Sequence, residues 1–237
     1  MELDSLRIIS NPVLVRDYAV EKLRNALAIG LYKPGDRLVD RDLCEVLQIS
    51  RTSVREALRQ LQAEKLITVG PRRRISVTVL TADDAADIYL LREMLEGEAI
   101  SRFVERADAA SIQSLSSLYK AMRKAVDNKD ISELVSFSNQ FTETILAGCG
   151  SDTIHAFGMQ LLHRVGYLKA TAMAEPNRLG VGFDELGAVV KAVNDRNAKA
   201  AKKAMIEHIR KASEAIAAHL RADPQQATKK QTKKSTA

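Results

Sequence analysis

Between Arg51 and Leu61 the apolar residues fall at Val54, Ala57, Leu58 and Leu61, a spacing that draws one stripe along an α-helix and leaves Arg51, Thr52 and Arg55 facing elsewhere. Just upstream, Leu43, Val46 and Leu47 mark a shorter helix that starts near Asp40, and Leu38 leads into it. A tight connector ending in Ser50 separates the two, which is the sequence form of a helix-turn-helix. Ser50 can accept a hydrogen bond from the orphan amides of the following turn. The second helix is therefore predicted to begin at Arg51, with its partly positive end beside Arg51 and Arg55. Residues 65–69 and 75–79 alternate as short strands around Gly70-Pro71-Arg72-Arg73-Arg74, predicting a β-hairpin wing with a cationic tip. Ahead of all this, Val15, Ala19, Leu23, Ala26 and Leu27 share one face of a helix over 13–29. It ends at Gly30, a residue suited to a left-handed cap. Lys33-Pro34-Gly35-Asp36 is a turn by composition, and the first domain closes at Val79.

From Thr81 to Ala222 strand signals vanish and helical periodicity continues almost without a break. Six helices are predicted, over 82–106, 109–127, 131–147, 152–173, 180–194 and 197–221. Their core faces include Ile88, Leu91, Leu95 and Phe103 in the first, Leu134, Phe141 and Ile145 in the third, and Phe157, Leu161 and Leu168 in the fourth. Breaks fall at Asp127-Asn128-Lys129-Asp130, Gly148-Cys149-Gly150-Ser151 and Glu175-Pro176-Asn177, and such short connections favour antiparallel neighbours. The expected fold is mainly α: an N-terminal winged helix-turn-helix domain over 1–79, then a C-terminal all-α helical bundle over 80–222. Residues 223–237, rich in Lys and Gln and without large apolar side chains, are expected to be a disordered basic tail. Either it solubilises the chain or it adds loose attraction to DNA.

The chain has 237 residues and a formal charge of +6, unevenly spread. Residues 1–79 carry 14 Lys and Arg against 10 Asp and Glu, residues 80–222 carry 18 against 19, and residues 223–237 carry four against one. The two ends are built to meet a polyanion and the middle is not. Cys44 and Cys149 lie in different domains without CxxC spacing, which argues against a disulfide framework or a thiolate zinc site. No stretch approaches the roughly 18 uninterrupted apolar residues of a membrane span, so a cytoplasmic protein without membrane contact is expected.

Taken alone, the two helices also suit an ordinary core pair with Arg51 and Arg55 as a solvated face. The arginine run on the wing weighs against that, because three like charges on one turn repel unless anions such as DNA phosphates neutralise them.

The stretch GLYKPGDRLVDRDLCEVLQISRTSVREALRQLQAEKLITV resembles the winged helix-turn-helix of the GntR family of bacterial transcription regulators. IYLLREMLEGEAISRFVE resembles the opening of the helical effector domain of its FadR-like, FCD subfamily. The resemblance implies DNA contacts from Arg41, from Arg51, Thr52, Ser53 and Arg55, and from the wing residues Arg72, Arg73 and Arg74. The chemistry agrees, since arginine can bond a guanine bidentately while Thr and Ser hydroxyls suit phosphates or either base type. Many relatives have glycine near the wing tip, and arginines in its place point to side-chain contacts. The implied protein is a homodimer on a palindromic, double-stranded DNA operator, with a small-molecule effector, an organic acid or acyl compound, in the helical domain. An architectural DNA binder without an effector is the alternative.

Many FCD members hold a divalent metal with an Asp and a His four residues apart and two later histidines. The matching positions are Ser138, Thr142, Leu186 and His208, a poor set for any such ion, so neither a metal nor another cofactor is expected. Effector-lining residues are then expected among Arg92, Ser138, Thr142, Arg164 and His208, the two arginines being equally suited to pairing with Glu96 or another helix carboxylate. An enzyme finds little support. Gly180, Gly182 and Gly187 have the wrong spacing for a dinucleotide loop, and no P-loop or HExxH motif occurs.

Overall fold

The computed structural model describes residues 13–166, 168–169 and 179–222. The expected tail over 223–237 and the expected break at Glu175-Pro176-Asn177 lie outside them. The chain divides into two compact units, one built from the described residues up to Leu27 with Leu31–Thr78, the other from Ala28–Gly30 and the residues from Val79 onward.

In the first unit, α1 (Val13–Ala28) ends where Gly30 takes a φ of 76° and Leu31 N donates to Ala26 O at 2.9 Å. α2 (Asp40–Leu47) and α3 (Arg51–Ala63) follow. Val54, Ala57, Leu58 and Leu61 of α3 are buried against Ala19, Val20, Leu23 and Leu27 of α1 and Leu43 of α2. The far end of α3 is tied down by Glu64, whose buried carboxylate accepts from Arg24 Nε at 2.8 Å and from Gln60 Nε2 at 2.8 Å. The wing strands are β2 (Ile67–Val69) and β3 (Ile75–Val77), shorter than the hydrophobic pattern implied. A further strand, β1 (Arg37–Leu38), pairs antiparallel with β3, which is central in the order β1-β3-β2. Leu38 therefore belongs to the sheet rather than to the approach of α2.

The second unit consists of α4 (Ala82–Arg106), α5 (Ala109–Asp127), α6 (Ile131–Gly148), α7 (Asp152–Arg164), α8 (Leu179–Asn194) and α9 (Ala198–Ala222). Side-chain caps fix five starts, among them that of α9, where Asn197 Oδ1 accepts from Ala200 N at 3.0 Å. Thr81 and Asp84 form a reciprocal capping box on α4, and Asp108, Asp130 and Ser151 accept from Ser111, Glu133 and Ile154 amides on α5, α6 and α7. One apolar core, centred on Phe103, Leu115, Phe141, Ile145, Val189 and Ile209, joins these helices.

Four residues assigned to core faces stand in solvent instead: Val15, Val46, Leu91 and Phe157. Each sits at the edge of its helix's apolar stripe, and an apolar sector wider than the contact leaves its rim uncovered. The helix expected over 152–173 is interrupted, because α7 ends at Arg164 and Val165 leaves helical geometry at φ −103° and ψ 3°. Helical backbone resumes at Gly166, Leu168 and Lys169.

Candidate DNA interface and effector cavity

At the start of α3, Ser50 Oγ accepts from Ser53 N at 3.1 Å, the cap that its position predicts. Ser53 Oγ lies 2.9 Å from the same hydroxyl, so Ser53 is engaged in the cap, while Arg51 and Thr52 are exposed beside it. Arg55 projects one turn on, its Nε donating to Asp40 Oδ2 of α2 at 2.9 Å. That bond fixes the guanidinium plane and leaves both terminal nitrogens, a fork able to meet a guanine edge. Arg41 on α2 pairs loosely with Glu45 at 3.1 Å in a strongly exposed setting, which contributes little energy and leaves it free to change partner.

The wing turns through Pro71–Arg73, closed by Gly70 N donating to Arg74 O at 2.7 Å. Arg72 and Arg73 both take left-handed backbone, with φ of 56° and 57°, and all three wing arginines are exposed. Consecutive non-glycine residues there are strained by about 1–2 kcal/mol each, and the conformation turns their side chains outward. An open groove of about 510 Å³ runs between the helices and the sheet. Its walls include Arg37, Arg41, Arg51, Arg55, Arg59 and Arg73, with Asp40 as the acid among them. Arg37 and Arg59 extend the expected set. Arg59 follows Arg51 and Arg55 at successive steps of four, a signal present in the sequence, whereas Arg37 reaches the groove only because β1 joins the sheet.

In the helical unit a cavity of about 70 Å³ is lined by apolar groups of Met122, Leu134, Phe183, Leu186, Ile209 and Ile216, and by Tyr89, Arg92, Ser138, Lys169 and His208. Of the expected effector residues, Arg92, Ser138 and His208 meet there. Thr142 and Arg164 are not among the lining residues: Thr142 Oγ1 donates to Ser138 O at 3.2 Å within α6, and Arg164 is the last residue of α7.

Arg92 is buried and paired with Glu96, Nε to Oε1 at 2.6 Å, and its guanidinium lies 4.7 Å from the Tyr89 ring centroid. Burial works against its charge, but Glu96 and Tyr89 outweigh burial and raise its pKa, so the group stays cationic. The pairing alternative read from the sequence therefore holds for Arg92, and the same residue also faces the cavity. His208 Nδ1 lies 2.9 Å from Glu185 Oε2, and burial holds the imidazole on the neutral side of its ordinary range despite that carboxylate. Lys169 was not anticipated. It is buried, its Nζ donates to Ser138 Oγ at 3.4 Å and Asn139 Oδ1 at 3.3 Å, and burial, then repulsion from Arg92, pulls its pKa down to about 7.

Comparison with known families matches residues 16–77 to "Bacterial regulatory proteins, gntR family" and residues 87–222, more than half the chain, to the "FCD domain". The chain belongs to this family. It is a gntR-type transcription regulator with an FCD effector-binding domain. Among curated family members, the uncharacterized regulator YdhC of Bacillus subtilis is 29% identical over 126 residues, 53% of this chain and 56% of that protein. The match thus spans little over half the length of that relative. The Escherichia coli repressor RspR is 23% identical over 211 residues, 87% of this chain and 90% of its own. Solved structures of E. coli McbR/YncC (TM-score 0.79, 88% of this chain and 98% of that one) and of a GntR regulator from Rhodococcus sp. RHA1 (TM-score 0.73, 85% and 96%) share the fold at 21% identity.

The FCD resemblance raises the question of a divalent metal. Ser138, Leu186 and His208 do line one cavity, but a hydroxyl, an alkyl group and one imidazole are no first shell, and the Thr142 hydroxyl is spent inside α6. Among the described residues no three His, Cys, Asp or Glu side chains gather to hold an ion. The donor set does not fit a metal.

Proposed function

We propose that this regulator binds a two-fold DNA operator as a homodimer and that a small-molecule effector in the helical cavity shifts its affinity for that operator. The observation that carries this reading is the groove along α3 whose walls bring together Arg37, Arg41, Arg51, Arg55, Arg59 and Arg73. One exposed helix end with flanking guanidinium groups suits the major groove, where α3 reads base edges. The wing arginines, Arg72 to Arg74, then sit on phosphates or the adjacent minor groove.

Support for the dimer comes from α4, where Leu90, Leu91 and Met94 are 51%, 48% and 60% exposed on one stripe of the helix. Apolar side chains so grouped favour burial against an equivalent surface, and a two-fold pair of heads matches a two-fold site. The effector acts through differential affinity for the DNA-competent and incompetent arrangements. Among the described residues no helix is long and apolar enough to cross a membrane, which accords with action on cytoplasmic DNA.

A gel shift with the DNA upstream of the regulator's own gene tests the proposal, alongside sedimentation of the protein alone. The expected result is a discrete complex of two chains per site, and a change of Leu91 and Met94 to lysine that yields monomers and weakens the complex. Binding indifferent to sequence, by a monomer, would contradict it.

A further inference from the structure

We infer that Lys169 forms an imine with a small, neutral aldehyde or ketone seated in the cavity of the helical unit. The inference rests on reading that unit as an effector domain and names the chemistry of its ligand, a carbonyl compound in place of the organic acid that the resemblance implies.

The geometry at the cavity singles out one nucleophile. Arg92 is a cation paired with Glu96 at 2.6 Å, and His208 Nδ1 lies 2.9 Å from Glu185 Oε2. Lys169 is buried, lines the same space, and has Ser138 Oγ at 3.4 Å and Asn139 Oδ1 at 3.3 Å. Both contacts are long for an ammonium, both oxygens are neutral, and among the described residues no carboxylate forms an ion pair with it. A charge so placed is costly, and the amine sheds that cost by releasing its proton. Burial, then repulsion from Arg92, brings its pKa down to about 7 against the opposing pull of Glu96. A lysine desolvated beside a fixed cation is the setting in which a free amine attacks a carbonyl carbon at neutral pH.

The step balances with what the cavity supplies. The Nζ lone pair forms a C–N bond as the π pair of C=O moves to oxygen, and a proton passes from nitrogen to that oxygen to give a carbinolamine. The C–O bond then breaks as nitrogen and carbon form C=N, and the oxygen leaves as water with the second N–H proton. One carbonyl and one amine become one imine and one water, and nothing is oxidised or reduced. The Ser138 hydroxyl, which can both donate and accept, lies 3.4 Å from Nζ and can relay the first proton. The neutral His208 imidazole in the same cavity can carry the second.

The remaining wall selects the ligand's size and charge. Met122, Leu134, Phe183, Leu186, Ile209 and Ile216 surround the amine with hydrocarbon, among which a neutral carbonyl brings no charge to desolvate. A volume of about 70 Å³ holds on the order of five non-hydrogen atoms, which limits the ligand to a short chain.

The test incubates the full-length protein at neutral pH with propanal, butanal or butanone and cyanoborohydride, which reduces an imine to a stable secondary amine, and maps the added mass by peptide mass spectrometry. Lys169 should be labelled roughly ten- to a hundredfold faster than exposed lysines, because a far larger share of it is unprotonated there. This ratio is read on the parent chain, whatever the stability of any variant. Without reductant, at least one of the three compounds should raise the melting temperature and shift affinity for the upstream DNA. Both effects should vanish in Lys169→Met, which fills the same slot without a nucleophile or a buried charge and should melt no lower than the parent. Labelling spread evenly over surface lysines, or a carbonyl response that survives Lys169→Met, would overturn the inference and leave the effector reading standing. So would stabilisation by propanoate or butanoate with Lys169 left unlabelled by the carbonyls. Should neither carbonyls, acids nor a low-molecular-weight cell extract stabilise the protein, the effector reading itself fails with it.

Discussion

On the proposed reading of DNA by α3, the contact between Arg55 and Asp40 serves specificity more than affinity. The carboxylate holds Nε at 2.9 Å across the turn between α3 and α2, in a setting exposed enough that the pair adds little to stability. Its value lies in pointing the remaining nitrogens. Asp40→Asn should therefore raise affinity for arbitrary DNA, through the lost negative charge, and lower the preference for the operator over scrambled sequence by about 1 kcal/mol. Parallel anisotropy titrations on the two duplexes measure that ratio, and an unchanged ratio would remove Asp40 from the reading apparatus. At Lys169 the sign of the pH dependence is fixed. Its pKa of about 7 in the folded state lies below the ordinary 10.5, because of burial and of Arg92, with Glu96 opposing and His208 nearby on the neutral side. Between those values the unfolded chain binds more protons, so this residue makes folding more favourable as pH rises from about 7 toward 10.5 and contributes no slope below 7. Subtracting the denaturation midpoints of Lys169→Met from those of the parent should leave a rise across that window alone. Superimposable curves would mean that the amine is not buried.

Five of the six helices of the second unit were legible almost to the residue, and five starts carry a cap written in the sequence: Thr81, Asp108, Asp130, Ser151 and Asn197. What periodicity could not settle was how wide an apolar face gets covered, and Leu91, Val46 and Phe157 are exposed for that reason. β1 was invisible because two residues cannot display alternation, yet it brings Arg37 into the groove. Lys169 was missed although a signal existed. It lies four residues after Val165 on the same apolar stripe, and a lysine in line with buried residues on a core-facing segment marks either a strained site or a functional one. The pairing of α6 with α4 offers a plain test of packing. A Cβ on Gly148, at the end of α6, would lie 2.5 Å from the ring of Phe103, which is fully buried in α4. Gly148→Ala should cost about 1–3 kcal/mol by overpacking, visible as a lower urea midpoint with an unchanged slope, and a neutral outcome would show that the Phe103 ring has room to give.

For the whole molecule, two units answer to two different chemistries. The basic front gathers its guanidinium groups along one open groove, while the near-neutral helical unit buries Arg92, Glu96 and Lys169 and lines a small cavity with Arg92 and Lys169. Reciprocity follows: an effector that loosens DNA must itself bind more weakly to the DNA-bound form by the same factor. All of this depends on α3 delivering its guanidinium groups to a duplex. The most direct measurement is a fluorescence anisotropy titration of upstream DNA with the parent, Arg51→Ala and Arg55→Ala, each shown by circular dichroism and melting to retain its fold. Each substitution should weaken operator binding by about 1–3 kcal/mol, much more than it weakens binding to scrambled DNA. Variants that fold normally and bind the operator with the parent's affinity would contradict the account.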